Sequence, residues 1–352
     1  MRNDMKNKVI RIGVAGLGFG AAVHVPAFQS LPGVKVVALC GKNYIKVQKK
    51  ARSLSVPRFY NSLSEFFKHD MDAVSIALPP KENARACSMA FRADIPVLLE
   101  KPVAGSFSGA QKLLRQGRHK LCCVDFQFPE LEAFKRIKKM IESRVYGRVL
   151  HASLLWELES YAHKAKKNSW KTDARTNGGV LSLLGSHFLY NAEWLFGPVA
   201  RLSSRLGTCA SRVDGKTLKN RAEDFFTSQC EFKNGIFLIA FISNATREGL
   251  GHRFEIAFEK AVAVLYNPPG DYMSGFRLSV RKNGEEKVIF HDRRESGVDG
   301  RIKPFRSLAR RFIAAVRKGD YQIHPSLKDG VRIQQLMEAV RTSSNQSQWI
   351  SI

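Results

Sequence analysis

Val9-Ile10-Arg11-Ile12-Gly13-Val14-Ala15, running directly into Gly16-Leu17-Gly18-Phe19-Gly20-Ala21, is the stretch that decides the fold. The first seven residues are apolar and β-branched, the pattern of a buried strand. Gly16 then permits a tight turn, and Gly18 lets the backbone approach a pyrophosphate. Ala21 supplies a third small residue where helix and strand must pack closely. A helix opening after this turn would aim unpaired N–H groups and its positive dipole end at the phosphates. Gly16, Leu17, Gly18, Phe19 and Gly20 are therefore the expected cofactor-binding residues of a dinucleotide grip.

The surroundings agree with that reading. Residues 34–40, 72–78, 95–99 and 121–126 are further short apolar runs, separated by amphipathic stretches at 62–68, 83–92 and 106–118. Strand alternating with helix predicts a doubly wound parallel sheet with helices on both faces. Residues 40–43, after the second of these strands, read Cys-Gly-Lys-Asn and contain no carboxylate to bind ribose hydroxyls. Lys42 could instead neutralise a 2′-phosphate, which tilts the cofactor toward NADP and leaves NAD open. Residues 95–99 lead into Glu100-Lys101-Pro102, so an ammonium group falls at the carboxyl end of a strand in the same sheet.

Leu131, Phe134, Ile137 and Ile141 recur at helical spacing, and from Gly147 the texture changes to hairpins. Asn234-Gly235 and Asn283-Gly284 each separate two apolar runs and predict two-residue turns; Glu259-Lys260 joins a third pair. The chain closes with an amphipathic helix over 305–316 and another over 327–342. With 352 residues, two domains are expected: a dinucleotide-binding domain over 1–126 and a second domain over 127–352 containing a mainly antiparallel sheet. The C-terminal helices are expected to be able to pack back on the first domain.

Fifty-seven Lys and Arg against thirty-one Asp and Glu give a net charge of +26. The basic residues spread over many helices instead of forming a tail, so a solvated basic surface is the plain reading and attraction of a phosphorylated or acidic substrate the functional one. No nucleic-acid-binding motif accompanies the charge. No stretch has the length and apolarity of a membrane span, and residues 1–8 lack the layout of a secretory signal, so a cytoplasmic enzyme is expected. The six cysteines show no CxxC and are expected to be reduced thiols; no zinc site is expected.

Taken together, these residues resemble the glucose–fructose oxidoreductase, inositol dehydrogenase and MocA-like family of NAD(P)-dependent oxidoreductases. The resemblance rests on 16–26 (GLGFGAAVHVP), Ala77-Leu78-Pro79-Pro80, Leu99-Glu100-Lys101-Pro102, Gly147-Arg148-Val149, and Gly178-Gly179-Val180-Leu181 through Gly185-Ser186-His187. It implies a hydride transfer between nicotinamide and a carbon of a sugar, cyclitol or nucleotide-linked sugar. It also implies a Rossmann domain joined to an α/β substrate-binding domain, 127–352, built on a large open sheet through which a homo-oligomer commonly forms. Lys101 takes the role of the lysine that contacts the reacting oxygen, and His187 that of the general acid/base. Leu78, Pro79 and Glu100 join the expected cofactor-binding residues.

The sequence departs from the family pattern at Leu183, one helical turn before His187, where many members carry an aspartate. Three readings follow. The enzyme runs on Lys101 and His187 alone, or another carboxylate such as Asp173, near Trp170, enters the substrate site, or catalysis is lost. The last would make the chain a non-catalytic sensor of a dinucleotide or sugar; a biliverdin-reductase-like enzyme is a further alternative. Asn83 and Gln127-Phe128-Pro129 also replace more usual residues and bear on substrate class.

Overall fold

Strand β1 (Ile10–Ala15) forms the middle of a parallel sheet with β2 (Val34–Cys40), β3 (Arg58–Tyr60), β4 (Ala73–Ile76), β5 (Val97–Leu99) and β6 (Cys122–Val124), in the order β3-β2-β1-β4-β5-β6. In this computed structural model residues 8–165, 169–209, 220–270, 273–294 and 297–352 are described. The strand order reverses between β1 and β4, and in such a sheet ligands bind outside the carboxyl ends at that reversal. Ile10, Ile12 and Val14 of β1 are fully buried, as expected of a strand covered on both faces.

One covering layer comes from far along the chain. The helix Ile302–Lys318 turns Phe305, Leu308, Phe312 and Val316 into the same core as Val25 and Phe28 of the helix Val25–Gln29. The compact unit containing the parallel sheet accordingly comprises Met1–Gln127 and Arg301–Gln334, and the other comprises Phe128–Gly300 and Gln335–Ile352.

The second unit is built on nine strands: β7 (Val149–Glu157), β8 (Val199–Gly207), β9 (Phe225–Phe232), β10 (Phe237–Ser243), β11 (Gly251–Phe258), β12 (Val262–Asn267), β13 (Arg277–Lys282), β14 (Glu285–His291) and β15 (Ile350–Ser351). Their order is β14-β13-β12-β11-β7-β10-β9-β8-β15, antiparallel except for the β7–β10 pair. Phe226, Ser228, Cys230 and Phe232 alternate inward along β9, and Phe188 and Phe196 of the helix Ser186–Phe196 pack on Phe226 and Phe232.

The two Asn-Gly turns differ. Asn283 and Gly284 both have positive φ and Lys282 pairs with Glu285, the expected two-residue turn. At the other, the Phe232 N–H donates to Ile236 O and only Gly235 is left-handed, so the loop has three residues with glycine at the third. All six cysteines are free, and Cys209 alone is exposed. Among the described residues no helix is long and apolar enough to cross a membrane.

Candidate active site

Backbone hydrogen bonds bring the sequence motifs to one edge of the parallel sheet. The Gly16 N–H donates to Cys40 O (2.9 Å), the Ala77 N–H to Ala15 O (2.7 Å), and the Glu100 N–H to Ile76 O (2.8 Å). The glycine turn, the residues after β4 and the Glu100-Lys101 pair therefore follow three adjacent strands, β1, β4 and β5. At about 4.8 Å per strand spacing, the turn and the lysine backbone are about 10 Å apart across the sheet.

The glycine turn has the shape a dinucleotide needs. Gly16 has φ +129°, and a Cβ there would stand 2.1 Å from Ala77 O. A Cβ on Gly18 would meet nothing within 4 Å, so that backbone faces open space. The close approach expected of Ala21 is made by Gly20, whose Cβ would lie 3.2 Å from both Ala77 Cβ and Val14 Cγ1. The turn opens into a wide π-helical turn, Gly20–His24, instead of an α-helix, and so brings an earlier residue against the strand. Leu17 lies over Gly41, where a side chain would collide with it. Phe19 lies beneath the guanidinium of Arg301, 5.1 Å from its ring centroid.

Lys42 is exposed and pairs with Glu82 at 3.3 Å, while its neighbour Asn43 caps the helix Tyr44–Ser53 by accepting the Lys46 N–H. Asn83, fully buried, is a positioning residue that the sequence marked only as a departure. Its Oδ1 accepts the Leu78 N–H (2.9 Å), and its Nδ2 donates to Glu100 O (3.0 Å) and Pro102 O (3.2 Å). One amide thus holds the backbone on both sides of the half-buried Lys101 and fixes Leu78 just before Pro79, the residue that precedes the helix Pro80–Arg92.

Behind Lys101 lies a group that sequence reasoning missed. His24, Glu100 and Asp125 place one nitrogen and two carboxylate oxygens within 4.8 Å of one another. Burial disfavours charge on all three, but the groups answer differently. Asp125 and Glu100 outweigh burial at His24 and raise its pKa. His24, Asp125 and Lys101 outweigh it at Glu100 and lower that pKa. At Asp125 burial and the Glu100 charge together push the pKa well above the ordinary carboxylate range.

In the second unit His187 is buried in the first turn of the helix Ser186–Phe196, which follows a π-helical turn, Leu181–Gly185. Its ring is 5.1 Å from that of Phe128. Trp170 opens the 3₁₀ turn Trp170–Thr172, and Asp173 caps the next, Ala174–Thr176, by accepting the Arg175 N–H. The Arg175 guanidinium also holds Asp173 at 2.8 Å, and these bonds lower its pKa. The nearby acid that reaches this turn is the half-buried Glu223. Its carboxylate packs against Gly179 and accepts the Leu181 N–H (3.3 Å), at the start of the turn leading to His187, and burial raises its pKa. No signal in the sequence singles Glu223 out, because it stands just before the strand Phe225–Phe232 in a stretch without any motif.

Two family models cover almost all of the chain. Residues 10–128 match the NAD-binding Rossmann fold of the Gfo/Idh/MocA oxidoreductases, and residues 138–352 match the family's C-terminal alpha/beta domain. The chain belongs to the Gfo/Idh/MocA oxidoreductase family. It is thus an NAD-binding oxidoreductase. An uncharacterized oxidoreductase of Synechocystis is 27% identical over 99% of this chain and 97% of its own. The D-apiose dehydrogenase of Paraburkholderia graminis is 22% identical over 66% of this chain and 60% of its own. Levoglucosan dehydrogenase in complex with NADH and levoglucosan has the same fold, with a TM-score of 0.86 at 18% identity, covering 97% of this chain and 99% of that one.

Proposed function

We propose that this oxidoreductase transfers a hydride between a nicotinamide cofactor and a secondary alcohol carbon of a sugar, cyclitol or nucleotide-linked sugar. The observation that carries the reading is the shared edge: the Gly16–Gly20 turn and Lys101 follow neighbouring strands of one sheet, with Asn83 holding the lysine's flanks. Relatives named for sugar substrates support the substrate class. When bound, the nicotinamide supplies or accepts the hydride.

Lys101 directs its ammonium to the reacting oxygen, which gains negative charge as the alcohol loses its proton or the carbonyl gains a hydride. His187 takes the hydroxyl proton in oxidation and returns it in reduction. Trp170 and Asp173 contribute to the sugar site, with Asp173 giving up Arg175 to do so. Phe237, Ile239 and Phe241 put apolar side chains on the less buried face of the nine-stranded sheet and support a homo-oligomer formed there.

Lys101→Ala is expected to lower kcat about a hundredfold or more while the dissociation constant for NADH changes little. Steady-state kinetics with a sugar panel and a fluorescence titration measure the two; unchanged turnover removes Lys101 from the mechanism, and cofactor binding with no turnover on any sugar favours a sensor. For the cofactor, the reading keeps NADP ahead of NAD through Lys42. Lys42→Ala should then weaken NADPH binding about tenfold, the scale of one charge-assisted contact, and leave NADH binding unchanged. Equal effects on both cofactors would reverse the preference.

A further inference from the structure

The His24 cluster raises a question of proton count. His24 and Asp125 are fully buried, and the Glu100 side chain is 12% exposed. His24 Nδ1 is 2.8 Å from Ser75 Oγ, and Nε2 is 3.4 Å from Glu100 Oε1 and 3.6 Å from Asp125 Oδ2. Gln127 Nε2 donates to Asp125 Oδ2 at 3.4 Å. With a Nδ1–H imidazole and two carboxylates, Nε2 and the carboxylate oxygens would be acceptors facing one another where water does not reach. That arrangement is strongly unfavourable.

Two protons remove the conflict. One on Nε2 makes His24 an imidazolium that answers Glu100, and one on Asp125 turns the second carboxyl into a neutral donor. The pKa directions of the three groups agree with that count. The remaining neighbours fit it too. Phe305 stacks on the imidazole at 3.9 Å and 10°, and Phe19 meets it edge-on at 5.1 Å. Lys303 and Arg306, on the helix that brings Phe305, are exposed, and Lys101 acts on the Glu100 side.

The cluster also joins parts that a hydride transfer needs to keep in register. His24 ends the turn that begins at the cofactor glycines, Ser75 is in β4, Glu100 follows β5 and adjoins Lys101, and Asp125 follows β6. We propose that His24 is a positioning residue: its imidazolium, bound between Glu100 and Asp125, locks the Glu100-Lys101 segment to the cofactor turn. The inference rests on the reading of Lys101 as the group that polarises the substrate oxygen.

Ring-nitrogen NMR of the full-length ¹⁵N-histidine protein tests the charge directly. Both His24 nitrogens should be protonated at neutral pH and above, and a neutral tautomer overturns the proposal. In kinetics, His24→Gln and Glu100→Gln should each lower kcat about tenfold or more with the KM for the alcohol within about twofold. The double variant should lose no more than the worse single, because both substitutions break one link; additive losses overturn it. So does a stoichiometric divalent metal retained by dialysed wild type and lost from His24→Gln, since a cation would then stand in place of the protons. If His24→Gln does not fold, the ring measurement on the wild type decides alone. Turnover unaffected by Lys101→Ala would sink the lysine reading and leave the ring result standing, so the two failures are distinguishable.

Discussion

His24 in the parallel-sheet unit and His252 in the nine-stranded unit are both buried, yet their surroundings drive them to opposite charge states. His24 meets two carboxyl groups and its pKa rises. His252, on β11, is enclosed by the rings of Trp156, Phe276, Phe134 and Phe128, with centroids 5.1 to 6.4 Å away, and burial alone drives its pKa down to about 3. Its Nδ1 has no hydrogen-bond partner among the described residues. Burial sets the cost of a charge, but partners decide whether it is met. A polar cluster behind a site and an aromatic cage inside a core are therefore separable from local chemistry, though both centre on a hidden histidine.

The largest expected effect comes from replacing each ring by an aliphatic side chain. His24→Leu leaves Glu100 and Asp125 facing each other without their cation, and breaking a buried pair in this way costs about 3–5 kcal/mol. His252→Leu removes a neutral ring with an unmet nitrogen from an apolar cage and should cost about 1 kcal/mol or less. Urea unfolding of the two variants measures the gap. Equal losses would mean that the two environments do not differ in the way their partners suggest.

Titration gives the next effect, and the two histidines act at opposite ends of the pH scale. The folded pKa of His252 is about 3, below an unfolded value of about 6.5, so the stability held by its neutral ring is whole above that value and is lost as pH falls toward 3. The slope should approach about 1.4 kcal/mol per pH unit in that window, and His252→Leu should flatten it. His24 has a raised pKa, so its contribution is whole below the unfolded value and is lost as pH rises through the folded one; Asp125 moves in the same direction. His24→Gln should therefore flatten the alkaline side of the stability curve, and on the acid side it should remove only the part that Glu100 draws from the imidazolium.

The contrast also explains what could be read from the sequence. Residues 9–21 and Glu100-Lys101-Pro102 were legible because a buried strand followed by glycine or by a charged turn is a local pattern, and the sheet then carries both to one edge. The Asn283-Gly284 turn was legible for the same reason. The strand Arg58–Tyr60 was not, since three residues paired on one edge need no apolar run. Nor was the π-helical turn at Gly20–His24, which shifted the close contact from Ala21 to Gly20. The cluster itself is spread over residues 24, 75, 100, 125 and 305, and its members look ordinary one at a time. A usable signal did exist: polar residues standing in β4 and just past β5 and β6, where the strands β4, β5 and β6 are otherwise apolar or cysteine. In the second unit, Leu183 directed attention to a missing acid, while the half-buried Glu223 on the Leu181 N–H depends on a tertiary contact between residues far apart in the chain.

The smallest expected effect is the sharpest test of the proton count. If Asp125 holds its proton, asparagine is nearly the same shape and charge. Its Oδ1 can accept from Gln127, and its Nδ2 can donate toward Glu100 as the carboxylic acid would. Asp125→Asn should then change stability by less than about 1 kcal/mol near neutral pH and leave the His24 ring doubly protonated. If Asp125 were instead the ionised partner, the same substitution would remove a buried negative charge beside the imidazolium, lower the His24 pKa and bring its deprotonation into the range where ring-nitrogen NMR sees a neutral tautomer. The result assigns the cation's main partner: a silent substitution leaves Glu100, the residue adjoining Lys101, as the carboxylate that holds it.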